Sequence, residues 1–177
     1  MKKIKVQNWI TPQIPATFLL ASLFHFLYSW FPNVFFAAIF PVNESVFEHL
    51  KLIPISFFLW MLIGLFFVEK NDSYFYRRYA FSTLISVLVT MLLIPIFFYV
   101  WKWISSYEAL WLHLLNLLFS IAIGTFVGQK AYSCTKIPLW VTGILFLALF
   151  IVLAYLTFHP WMYPIFQDPL TGRYGLQ

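Results

Sequence analysis

Tyr79-Ala-Phe-Ser-Thr-Leu-Ile-Ser-Val-Leu-Val-Thr-Met-Leu-Leu-Ile-Pro-Ile-Phe-Phe-Tyr-Val100 runs for 22 residues without a charged side chain, and its reading decides the fold. A bilayer core about 30 Å thick takes about 20 helical residues, so this stretch predicts a membrane-spanning helix. Four further predominantly apolar runs accompany it, at 14–30, 49–68, 109–127 and 139–158. Within hydrocarbon a helix satisfies its backbone hydrogen bonds internally, whereas strands do so only in a closed barrel. The alternating segments of about 10 residues that mark a barrel are absent. The expectation is an all-α, polytopic transmembrane helical bundle of about five helices, forming one integral membrane domain over 1–177. Residues 159–177 are too polar and proline-rich to cross, and Asp168-Pro169-Leu170-Thr171-Gly172 reads as a turn in an extracytoplasmic tail.

Composition points the same way. Hydrophobic residues make up 62% of the chain and charged ones 10%, against about 25% charged in a soluble domain. The net charge of +5 sits beside no basic patch on a soluble face, so a nucleic-acid partner is not expected and the bilayer is. The positive charges instead set topology. Lys2, Lys3, Lys5, Lys70, Arg77, Arg78, Lys130 and Lys136 fall on one side, and Lys51, Lys102 and Arg173 on the other. Short cytoplasmic segments retain Lys and Arg, which places the N-terminus inside and the C-terminus outside. The N-terminal lysines also outline a secretory signal, but His25, Tyr28 and Phe31-Pro32-Asn33 replace the small-residue cleavage site such a signal needs. With Cys134 the only cysteine, neither an internal disulfide nor a multi-thiolate zinc site is available.

With that orientation His25, His49, His113 and His159 all come to the extracytoplasmic side, together with Glu44, Glu48 and Asp168. Pro41-Val-Asn-Glu-Ser-Val-Phe-Glu-His-Leu-Lys51 is the densest polar segment. Drawn as a helix it gathers Glu44, Ser45, Glu48, His49 and Lys51 on one arc, with Val46, Phe47, Leu50 and Ile53 opposite. Asn43 or Ser45 can cap such a helix, and Ser45 with Glu48 matches a capping box. Two carboxylates, a histidine and a lysine exceed what a cap requires. His25 lies deeper, where an ionisable group needs a partner and marks a functional position. His113 and Asn116 share a stripe with Ser120, Gly124 and Gly128 on the fourth run, and Ser82, Ser86 and Thr90 form a second stripe on the third. Both stripes read as small-residue packing seams.

Phe24-His25-Phe26-Leu27-Tyr28, Pro41-Val42-Asn43-Glu44-Ser45 with Glu48-His49-Leu50-Lys51, and Phe166-Gln167-Asp168-Pro169 with Thr171-Gly172 and Tyr174-Gly175 together resemble a domain-of-unknown-function family of small bacterial integral membrane proteins. The resemblance implies a bacterial cytoplasmic (inner) membrane protein and supplies no activity. Its recurrent polar positions match His25, Asn43, Glu44, Ser45, Glu48, His49, Lys51 and Asp168. The chain departs from the pattern at Phe47, where the family has tryptophan, and at His159 and Met162, where it has proline and histidine.

The candidate catalytic residues are therefore His25, Glu44, Glu48 and His49, with His25, His49 and Glu48 as possible zinc ligands. Asn43, Ser45, Lys51, His113, Asn116 and Asp168 are binding candidates. Imidazole beside carboxylate suits general acid–base work, or a metal with one open position for water, and so an intramembrane hydrolase or acyl-transfer enzyme on lipid-linked substrates. The same cavity could instead hold a solute, ion or lipid headgroup. A third reading is a scaffold or accessory subunit with a membrane-protein partner, its polar groups serving only helix packing.

Overall fold

The computed structural model describes residues 4–70, 73–105, 107, 109–134 and 136–176, and of Gln7 and Cys134 the backbone only. Lys2, Lys3 and the Cys134 side chain, all used in the sequence reading, lie outside the described residues. The elements are α1 (Val6–Phe24), α2 (Leu27–Trp30), α3 (Val34–Ile39), α4 (Val46–Leu50), α5 (Leu52–Phe67), α6 (Phe75–Ile104), α7 (Leu110–Cys134), α8 (Leu139–Phe158) and a 3-10 turn at Pro164–Phe166. No strand occurs among the described residues; of two isolated bridges, Ile4 with Val68 ties the N-terminal end to the bundle and Gln167 with Tyr174 closes the C-terminal tail on itself.

Five helices are long and apolar enough to cross a membrane: Asn8–Trp30, Val46–Phe67, Phe75–Ile104, Leu110–Ser133 and Leu139–Phe158. Two of these are interrupted, for identifiable reasons. Pro54 has no N–H for the Leu50 carbonyl, and Lys51 N bonds Glu48 O at 3.2 Å, a tightened turn that separates α4 from α5. Between α1 and α2 the ladder also tightens, with Phe26 N on Leu23 O at 3.2 Å. His25 sits at that break. The first helix reaches back to Val6, ahead of the expected start at 14, and α3 occupies what the sequence presented as a loop. Asn33 caps α3, accepting from Phe36 N at 3.1 Å.

The seams meet as their spacing predicts. Ser82 Oγ donates to Gly128 O at 2.8 Å and Thr90 Oγ1 to Ser120 O at 3.3 Å, locking α6 against α7. A methyl group on Gly124 would strike Thr90 and the Ser86 carbonyl, and one on Gly128 would strike Ser86 and the Ser82 carbonyl, so close backbone approach supplies the packing that lipid cannot drive. Ile53, Phe57, Leu84, Val87, Ile121 and Phe146, from α5 to α8, form the core above which the polar segment sits.

Candidate functional site

The segment 40–51 is organised by its own polar groups. Asn43 Oδ1 accepts from Ser45 N at 2.9 Å, an Asx turn, and Ser45 Oγ caps α4 by accepting from Glu48 N at 3.3 Å. The reciprocal half of the expected capping box is not made. Glu48 instead turns back to accept from Val42 N at 3.1 Å, because Ser45 N is already occupied by Asn43.

Glu44 thus lies on an extended loop, and the single polar arc expected of a continuous helix divides in two. One half is sealed: Glu48, Lys51 and Thr157 are 1%, 2% and 0% exposed. Lys51 is in direct ionic contact with Glu48. Its Nζ also donates to Ala37 O at 2.8 Å and Thr157 Oγ1 at 2.9 Å, and Thr157 lies 2.9 Å from Glu48 Oε1. Every heavy atom of this cluster that could stay bare in the bundle has a partner.

The other half is open. His25 Nε2 and His49 Nε2 approach to 3.0 Å, and Glu44 Oε2 lies 3.6 Å from each. The three side chains are 28%, 33% and 44% exposed. His49 Nδ1 is 2.8 Å from Ser45 O; a carbonyl only accepts, so Nδ1 donates, which in the neutral imidazole leaves Nε2 as an acceptor facing the cluster. At 3.6 Å the Glu44 contacts are longer than a direct hydrogen bond, and each becomes an electrostatic attraction when the imidazole concerned carries its proton on Nε2. The pull of the His25 imidazole is the largest influence on Glu44 and holds its carboxyl below the usual carboxylate range; partial desolvation opposes it, and the charges of His49 and His25 add to it.

The triangle of donor atoms has the dimensions of a metal face. Zinc ligands stand about 2.0–2.1 Å from the ion, and two of them at a tetrahedral angle are about 3.3 Å apart; the observed edges of 3.0, 3.6 and 3.6 Å straddle that value. The carboxylate completing the triangle is Glu44. Glu48, the carboxylate expected in this position, is turned away toward Lys51 and Thr157.

The remaining candidates lie elsewhere. Asn43 and Ser45 shape the loop, and Lys51 belongs to the sealed cluster. Asn116 Nδ2 donates to Ile94 O at 3.0 Å beside Pro95, and its Oδ1 accepts from Ser120 at 3.1 Å. His113 stacks on Phe98 at 5.7 Å, lining a separate cavity between α6 and α7 of about 290 Å³. Asp168 is buried within its turn, accepting from Leu170 N at 2.9 Å and Thr171 Oγ1 at 2.8 Å. His159 lies over Tyr155 at 4.6 Å. Thr157, which the sequence did not single out, joins the sealed cluster, and Gly175, quoted only as part of the family pattern, accepts from Asn43 Nδ2 through its carbonyl at 2.9 Å. Gly175 has φ +67, and a Cβ there would lie 2.9 Å from Thr157 O, so only glycine fits between the tail and α8.

The model of a family of unknown function, DUF6512, matches residues 1–176, and the chain belongs to that family. No curated protein and no solved structure matches it.

Proposed function

From membership of a family without an assigned activity and from the geometry of its own polar segment, we propose that this protein is a membrane-embedded, metal-dependent hydrolase. His25, Glu44 and His49 are the ligands of one divalent ion, zinc foremost. The observation that carries the reading is the triangle of 3.0, 3.6 and 3.6 Å between one atom of each. Three protein ligands leave a fourth position for water, which zinc makes acidic enough to act as hydroxide near neutral pH. The Ser45 carbonyl on His49 Nδ1 supports the reading, since ligating imidazoles are oriented in this way through their second nitrogen.

The chain sits as a single domain in a bacterial cytoplasmic membrane, with its N-terminus inside and the site facing away from the cytosol, as its Lys and Arg distribution favours. The test is element analysis of protein purified in detergent without chelator, followed by zinc titration of the apo form. One equivalent of zinc is expected in the parent chain, lost in His25→Ala and Glu44→Gln variants whose apo forms stay folded and unfold close to the parent's apo temperature. A metal-free protein that takes up no zinc on titration would favour a second reading, the accessory subunit. There the direct 3.0 Å contact of the two imidazoles serves as an interhelical hydrogen bond, and His25→Ala lowers stability instead.

A further inference from the structure

Beside the metal triangle lies a cavity of about 200 Å³, lined by His25, Phe26, Tyr28, Ser29, Val42 and Glu44 among others. It is smaller than the roughly 300–1,000 Å³ of pockets that engulf a drug-sized ligand, so it admits the reacting group of a larger molecule and leaves the rest outside. What adjoins it outside is apolar. Phe26 is exposed, touches His25 ring to ring at 5.2 Å and stacks on exposed Trp30 at 6.1 Å. Phe31, Val34 and Phe35, which follow in the chain, are exposed as well. No lysine or arginine lines the cavity among the described residues, and Lys51 of the same segment is buried against Glu48.

Resting on the metal reading above, we infer that the substrate is an uncharged acyl ester or amide carried by a lipid, its chains lying along the Phe26–Trp30 face. A phosphoryl group carries charge on several oxygens and is ordinarily clamped by Arg, Lys or more than one metal. A carbonyl oxygen develops one negative charge, which a single ion matches. Tyr28, which lines the same cavity, carries a hydroxyl donor, while the Ser29 hydroxyl donates to Phe26 O at 2.7 Å. With His25, His49 and Glu44 holding the ion, which would supply an acidic water, the water oxygen would add to the carbonyl carbon and its proton would pass to the Glu44 carboxylate. The carbon–oxygen or carbon–nitrogen bond then breaks, its electron pair leaves with the alkoxide or amine, and Glu44 returns the proton to that group. The products are a fatty acid and an alcohol or amine.

The experiment uses the full chain, zinc-loaded, in phosphatidylcholine vesicles. A dioleoylglycerol, an N-oleoyl amine and dodecyl phosphate are presented separately, with p-nitrophenyl acetate as a short soluble ester, and bound zinc is measured on the same samples. Expected is release of oleic acid from one or both neutral lipids, at least 100-fold faster than in His25→Ala, with no phosphate from dodecyl phosphate. Phe26→Ser/Trp30→Ser is expected to slow the long-chain reaction at least tenfold more than it slows p-nitrophenyl acetate hydrolysis. Zinc bound with phosphate released, or with no lipid cleaved, overturns the inference and leaves the metal reading standing; zinc absent overturns both.

Discussion

Glu44 and Glu48 lie four residues apart and meet opposite fates. Glu48 is closed in with Lys51 and Thr157, where each charged atom has a counterpart supplied by the protein. Glu44 stands with two imidazoles in a cluster that is about one-third open, where a lone pair from His49 and a carboxylate converge on unfilled space. The difference separates the two uses of polarity in an apolar bundle. A cluster completed from within fixes geometry, and the open one is where we place the proposed metal.

The contrast breaks most visibly at Lys51. Lys51→Met leaves the Glu48 carboxylate buried without its cation and is expected to cost about 3–5 kcal/mol, read as loss of resistance to denaturant in micelles. Lys51→Met/Glu48→Leu should regain most of that stability but not the parent zinc affinity, because Val42 N loses its acceptor and the Glu44 loop is released. A double variant as unstable as the single one would show that the cluster does more than neutralise itself.

The open cluster predicts the reverse pattern. His49→Ala should lower zinc affinity at least 100-fold, about 2.7 kcal/mol, while moving apo stability by no more than about 1 kcal/mol; calorimetric titration beside thermal unfolding separates the two. Between the extremes, Asn43→Ala removes the Asx turn and the link to Gly175. It should weaken zinc about 10-fold, and unchanged affinity would mean that the loop holds its shape unaided.

The smallest effect is in pH. Glu44 has its carboxyl held below the ordinary 4.5, so its contribution to apo stability is complete above that value and is lost as pH falls through the lower folded one. The gap in unfolding temperature between the parent and Glu44→Gln should shrink as pH falls below 4.5. Because Glu44 is well exposed, solvent screening keeps the gap small. A gap that widens below pH 4.5 would contradict the sign.

The helices were legible because lipid imposes one rule on every span, and the seams because Gly124, Gly128, Ser82 and Ser86 repeat at helical spacing. His25, Glu44 and His49 were nameable from chemistry alone. Which carboxylate joins the imidazoles was not. Helical projection put Glu44 and Glu48 on one arc, and the outcome turned on Asn43 claiming Ser45 N, which keeps Glu44 on a loop and sends Glu48 to Val42 N. Helix α3 was missed although Asn33 is a good cap, because two prolines bracket a segment of only six residues. Thr157 gave no local signal, and Gly175 stood in the family pattern with nothing to say what it touches. Their partners, Glu48 and Asn43, are 109 and 132 residues away.

The clasp between Asn43 and Gly175 also sets an order of assembly. The Glu44 loop emerges early in synthesis, yet the carbonyl that fastens it emerges only after all five long helices have been made. A nascent chain can thus be threaded into the bilayer while its candidate centre is still unfastened, and maturation awaits the late arrival of a glycine.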